Sequence, residues 1–268
     1  SFTGTNGSNP WADLVLGSDG SFYGTTAGGG SSNLGTVFQI TTNGMLTTLV
    51  SFTGTNGSGP NGLALGRDGN FYGTTAGGGV NDSGTVFRVT TNGLSTTLVS
   101  FTGTNGWRPK GLVLGGDGNF YGTTFGGYAG GFSTNLGTVF QLTTNGVLTT
   151  MVWFTGTNGA GPNGLVLGGD RNLYGTTFYG GAGDIGTIFR LVMPKFSSVA
   201  RQPGGSLWLS GVGPANEAFR LWAGTDLSLP FTSWTQIASS AFDSSGTFSY
   251  TDAGAASNHS RFYRISVP

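Results

Sequence analysis

The chain has 268 residues, of which 53 are glycine and 20 phenylalanine, while only 8% are charged. Glu217 is its sole glutamate and Lys110 and Lys195 its sole lysines, so the residues that fill helix surfaces are missing and helix is excluded as a major element. Eleven basic residues balance eleven acidic ones, which leaves no long-range field to gather nucleic acid or an anionic membrane, and no apolar run is long enough for membrane insertion.

The chain opens on SFTGTNGSNP, and near copies return as SFTGTNGSGP at Ser51, SFTGTNGWRP at Ser100 and WFTGTNGAGP at Trp153. The phrase divides the chain into units at 1–50, 51–99, 100–152 and 153 to about 200. Internal repetition at such an interval is the mark of a propeller, solenoid or array. Within the second unit four short apolar runs follow one another: Leu63–Leu65, Phe71–Thr75, Thr85–Val89 and Leu94–Phe101. Asp68-Gly69 and Asn92-Gly93 lie between them, and such pairs accept positive φ in a tight hairpin turn. Two hairpins per unit predict four antiparallel strands, the content of one propeller blade.

In the third run of each unit Val37, Val86, Val139 and Ile188 alternate with Phe38, Phe87, Phe140 and Phe189. Both faces are apolar, which predicts a strand covered on both sides, as in blades stacked face to face. The tyrosines of the YGTT motif, Tyr23, Tyr72, Tyr121 and Tyr174, are expected between blades, with each hydroxyl partnered and the neighbouring glycine allowing close approach.

The fourth unit departs from the pattern. Arg171 follows Asp170 where the others have glycine, and after GTIFRLV the outer strand is replaced by MPKFSSVA. Ser1, Phe2 and Thr3 match what is elsewhere the tail of the fourth strand. Two closures follow. Ser1–Thr3 pairs with the last third strand, Thr187–Val192, and closes a ring; or that edge, including Leu191 and Val192, is completed by another chain through strand addition.

From Arg201 the repeat is lost, and GSLWLSGVG, EAFRLWAGTD, SWTQIASSAF, GTFSYTDAG and SRFYRISVP predict a small antiparallel sandwich. The domains are therefore 1–195, a four-repeat β-propeller or open propeller-like array, and 201–268, a β-sandwich, with a linker at Pro194 and the serines after Phe196. The fold class is all-β.

On DGNFYGTT, GGG, GTVF and TTNG, the units resemble a bacterial tandem repeat known as the GloVer repeat, found in secreted proteins that carry varied anchoring tails. The tail resembles a small β-sandwich at the ends of secreted proteins of the same bacteria. The resemblance implies export and an extracellular or cell-surface location, and brings no catalytic residue with it.

The residues offer little chemistry. His259, the only histidine, has no second titratable group near it in sequence and is read as a polar loop side chain. Asp19, Asp68, Asp117 and Asp170 recur because aspartate suits the turn it occupies; their neighbours are glycine, asparagine and aromatics, so neither a calcium site nor any other metal is expected. GTNG and GGG lack the following helix or lysine of a phosphate loop. No cofactor is implied.

Loop variation is more informative. After YGTT the third unit carries FGGYAGGFSTNL, four residues longer than AGGGVNDS of the second, and insertions on one face of an array commonly mark its binding surface. Phe125, Tyr128, Phe132, Phe178 and Tyr179 are the candidate partner or glycan contacts, and Trp107 and Trp11, each flanking a proline after GTNG, are further candidates of the same kind. The expected function is a non-enzymatic extracellular structural protein that self-associates as a homo-oligomer or polymer; a secreted carbohydrate-binding module is the alternative.

Overall fold

The computed structural model describes every residue but 130–131, 228–232, 259 and 268, and between 127 and 135 it describes backbone alone. No α-helix forms among the described residues. Blade 1 comprises β1 (Val15–Leu16), β2 (Phe22–Thr26), β3 (Thr36–Ile40) and β4 (Leu46–Ser51); blade 2 comprises β5 (Ser58–Leu65), β6 (Phe71–Gly77), β7 (Thr85–Val89) and β8 (Ser95–Ser100). Each is an antiparallel sheet in sequence order. Blade 3 contains β9 (Trp107–Leu114), β10 (Phe120–Ala129), β11 (Phe132–Asn135), β12 (Thr138–Leu142) and β13 (Leu148–Trp153). Blade 4 has only β14 (Ala160–Leu167), β15 (Leu173–Tyr179) and β16 (Ile188–Leu191). The insertion in the third unit, read as a loop, pairs as a hairpin: β11 lies against the end of β10, with Gly127 opposite Asn135.

The turns differ from the expected two-residue form. Gly66 N–H donates to the Asn70 carbonyl and Gly69 N–H to the Gly66 carbonyl, so three residues lie between the bonded pair Gly66 and Asn70, and only Gly69 takes positive φ, at 76°. This is a turn closed by a left-handed residue. Asp68 accepts the Asn70 N–H and thereby pins the turn with its side chain. Arg171 occupies the glycine position in blade 4 at φ 64°, where a side chain is strained.

Inside each blade the YGTT motif is explained by its neighbours. Gly73 lies opposite Phe87, and a Cβ there would stand 2.5 Å from the ring. Only glycine lets phenylalanine lie flat across the strand. Beside it, the buried hydroxyls of Thr75 and Thr85 bond to each other at 2.8 Å, which satisfies polar groups that burial would otherwise penalise.

Blades meet through alternating faces. Tyr23, Val37 and Val50 on the back of blade 1 pack with Leu63, Phe71, Phe87 and Val89 on the front of blade 2. Tyr72 and Val86 meet Phe120, Phe140 and Leu142 at the next junction in the same way. The tyrosine rings lie 4.1 Å from Phe71 and 4.2 Å from Phe120, within aromatic stacking range.

The repeated phrase bridges two blades. Phe52 N–H donates to the Gly35 carbonyl of blade 1, while its ring packs on Phe87 of blade 2 at 5.1 Å. FTGTNG is thus the lead-in of the following blade as much as the tail of the preceding one. Phe2 does the same for blade 1, its ring 5.1 Å from Phe38. Ser1–Thr3 forms no strand, and Thr3 N–H is taken by the Asn6 side chain at 2.7 Å; the short closing strand against Thr187–Val192 does not form within the chain.

The third strand is covered on both faces in three blades only. Val37, Val86 and Val139 are fully buried, but Ile188 is 84% exposed, because no blade lies behind blade 4. The repeats therefore form an open propeller-like array.

Residues 1–190 and 191–268 are separate compact units. In the second, β17 (Lys195–Arg201), β18 (Leu207–Val212) and β21 (Thr247–Asp252) form one sheet, and β20 (Thr235–Ala241), β19 (Ala218–Gly224) and β22 (Phe262–Ser266) the other. Phe219, Leu221, Phe242 and Phe248 fill the core between them. The segment expected to be a linker is the first strand of this sandwich, because Phe196 joins the core against Phe248 at 5.9 Å. Asp252, nearly buried, is held by Arg261 at 2.7 Å and by the Tyr263 hydroxyl at 2.9 Å.

Candidate functional site

Each internal junction repeats a fixed set of bonds. The N–H groups of Gly59, Arg108 and Gly161 donate to the carbonyls of Leu34, Ser83 and Leu136 in the preceding blade at 2.7–3.1 Å. The hydroxyls of Thr25, Thr74 and Thr123 donate to the carbonyls of Asn61, Lys110 and Asn163 in the following blade at 2.6–2.8 Å. Pro60, Pro109 and Pro162 cover Gly35, Gly84 and Gly137 so closely that a Cβ on any of these glycines would clash. Every acceptor is a backbone carbonyl, while the donors are backbone N–H groups and the hydroxyl of a recurring threonine.

The two ends of the array carry the same groups without partners across a junction. At the back of blade 4, Thr176 is exposed where its three counterparts are buried, Tyr174 is half-buried, and Ile185 is 89% exposed. At the front of blade 1, Leu14 is 51% exposed while its counterpart Leu63 is 9% exposed, and Asn9 and Pro10 are exposed. Asn9 nevertheless has φ 56°, beside 60° for Gly59, 49° for Arg108 and 61° for Gly161. None of this was visible in the sequence, where GTIF and GTVF look alike.

The residues singled out from the sequence fall into three places. Leu191 ends β16 and Val192 follows it, both half-buried; Ser1, Phe2 and Thr3 belong to the lead-in of blade 1. Phe125 and Phe178 form an edge-on pair at 6.3 Å, with Tyr179 6.1 Å from Phe178, and Lys110 Nζ caps the Phe125 ring. Phe125 also covers Gly161 of blade 4, so it is partly a junction residue, whereas Phe178 and Tyr179 are more than half exposed. Trp107 is stacked under Arg108 at 4.5 Å. The side chains of Tyr128 and Phe132, and all of His259, lie outside the described residues.

The recurring aspartates and tyrosines are partners. Tyr23, Tyr72, Tyr121 and Tyr174 each donate to Asp19, Asp68, Asp117 or Asp170 four residues earlier, at 2.8–2.9 Å. Burial first, and then the aspartate, push the phenols of Tyr23 and Tyr72 up to about 12. Burial raises the Asp19 carboxyl, but the bonds from Tyr23 and from Ser21 outweigh it and hold the group below its ordinary value. A carboxylate kept charged and a phenol kept neutral are structural clamps, with no proton poised for transfer near neutral pH. Among the described residues no group of three or more histidines and carboxylates gathers as a metal site. Among the described residues no helix is long and apolar enough to cross a membrane.

The sandwich carries a shallow depression of about 340 Å³ bordered by Trp208, Ser210, Asp243, Thr247 and Phe248. Its one carboxylate, Asp243, is occupied by Ser245 and Thr247 of its own loop, and these bonds hold its pKa far below the usual range.

The sequence of the Gloeobacter/Verrucomicrobia repeat matches residues 1–189, the blade array up to the first residues of β16. The chain belongs to this repeat family. No curated protein matches it. Among solved structures, virginiamycin B lyase from Staphylococcus aureus is similar at 15% identity and a TM-score of 0.47, over 79% of this chain and 68% of that one. PorZ, a surface component of the type-IX secretion system of Porphyromonas gingivalis, is similar at 10% identity and 0.41, over 76% of this chain and 31% of that one. Puromycin hydrolase follows at 10% identity and 0.40, over 75% and 33%. The chain spans about a third of the last two, and likenesses this distant decide nothing about its activity.

Proposed function

We propose that this is a non-enzymatic structural protein of the cell exterior that associates with copies of itself into a filament or surface assembly. The observation that carries this reading is the apolar back of blade 4, where Ile188 is 84% exposed although the same position is fully buried in the other blades. Apolar surface that the fold elsewhere always covers is a liability for a solitary chain and an asset for an assembling one. The edge of β16 adds to this, since it lacks the outer strand present in blades 1–3 and offers unpaired backbone groups. Low charge on the whole chain leaves little repulsion to oppose contact. Light scattering on the purified protein, with negative-stain imaging of the same sample, tests it: concentration-dependent polymers are expected, and a monodisperse monomer at high concentration overturns it.

A second reading, carbohydrate binding, is favoured by the solvent-facing Phe178 and Tyr179 beside Phe125. Aromatic faces in the open suit sugar rings. Calorimetric titration with a panel of oligosaccharides tests this reading; binding lost on Tyr179→Ala supports it, and no binding across the panel sinks it.

A further inference from the structure

We infer that the joint between copies is a blade-to-blade junction, in which the back of blade 4 of one copy receives the front of blade 1 of the next, with the bonding pattern of the internal junctions. This rests on the self-association reading and specifies its geometry: face stacking, head to tail, rather than pairing along a strand edge alone.

Both halves of the missing junction are present, with the front strand of blade 1 formed over Val15–Leu16 alone where the other blades have eight residues. On the donor side, Asn9 holds the left-handed φ of 56° that Gly59, Arg108 and Gly161 use when they donate N–H to the preceding blade. For asparagine this conformation is tolerated but uncommon. Asn9 is followed by Pro10, as Gly59, Arg108 and Gly161 are followed by Pro60, Pro109 and Pro162. On the acceptor side, the Ile185 carbonyl stands where those of Leu34, Ser83 and Leu136 receive that N–H, and Gly186 stands where Gly35, Gly84 and Gly137 are covered by proline. Gly186 has no proline over it, and φ there is 99° against 98° at Gly35.

The apolar groups match as well. Tyr174 presents the ring that Tyr23 and Tyr72 stack on Phe71 and Phe120, and half-buried Phe22 stands where those phenylalanines stand. Thr176 repeats the hydroxyl that crosses to the next blade in Thr25, Thr74 and Thr123. Leu14 completes the front as Leu63 does. The occupant that fits this face is therefore blade 1 of a second copy, because the chain shows three times what a blade back accepts. A front meeting a back is a heterologous contact, and such contacts propagate or close into rings of copies.

Two charge substitutions at exposed positions, Ile188→Asp on the back and Leu14→Asp on the front, test this without disturbing an internal junction. Circular dichroism and thermal melting should match the unsubstituted protein. Each variant alone is expected to stay monomeric by light scattering, at the chain mass of 27.3 kDa. Mixed in equal amounts, the two should form dimers of twice that mass and stop, since one intact back and one intact front remain to be joined. If the unsubstituted protein polymerises and either variant polymerises equally, the joint lies elsewhere and this inference fails while self-association stands. If the unsubstituted protein is a monomer at all concentrations, self-association itself fails and takes the joint with it.

Discussion

The backs of blade 2 and blade 4 are written in nearly the same residues, Tyr72, Thr74 and Val86 in one and Tyr174, Thr176 and Ile188 in the other. One set is entirely buried; the other is half-buried or exposed. Burial in this array is a property of what stands behind a strand and cannot be read from the strand itself. The stability of each blade should accordingly follow its neighbours, as in other linear repeats where interfaces between units carry much of the energy.

Truncating the two tyrosines puts the contrast under the most strain. Tyr72→Ala removes a buried ring from a stack and should cost about 3–5 kcal/mol, read as a lowered urea midpoint, whereas Tyr174→Ala in dilute monomer should cost about 1 kcal/mol or less. Equal losses would mean that blade 4 is covered in solution.

Alkaline titration separates the same faces. Because Tyr23 and Tyr72 are raised from 10 to about 12, their folded forms hold protons more tightly than the unfolded chain. The stability they lend is complete below pH 10 and is lost as pH rises through 12. Phenolate absorbance at 295 nm should therefore show these tyrosines ionising only with unfolding, and a reversible early titration of all the tyrosines would contradict their burial.

A smaller effect attends the threonines. Thr74→Val strips the bond to the Lys110 carbonyl and should cost about 1–2 kcal/mol, while Thr176→Val should leave the urea midpoint of the monomer unchanged. The finest test is Arg171→Gly. Relief of φ 64° should raise the melting temperature slightly, by about 0.5–1 kcal/mol of stability, whereas the opposite exchange, Gly69→Arg, should lower it.

Strand content, turn positions and the inter-blade tyrosines were legible in the sequence, because alternation and Asp-Gly or Asn-Gly pairs act locally. The linker assignment failed at Phe196, since three serines and alanines around it look loose until Phe248 is brought across from the opposite side of the sandwich. The role of FTGTNG was half legible. A strand tail and a blade lead-in share the same residues when Phe52 bonds backward through its N–H and packs forward through its ring. The aromatic loops were found by length variation, but their division between junction and solvent depends on Gly161 beneath Phe125, a contact between residues far apart in the chain. The open faces were illegible for the reason that makes them useful: they repeat the closed ones.

The bonds between blades run to backbone carbonyls at Leu34, Ser83 and Leu136, where a serine serves as well as a leucine. Beyond the threonine, the proline and the stacked rings that recur in each unit, such a junction places few demands on the residues at its seam. Units can be duplicated, lost or exchanged between genes, and each new seam is already compatible with every old one, so the number of blades is free to drift while the manner of joining them stays fixed.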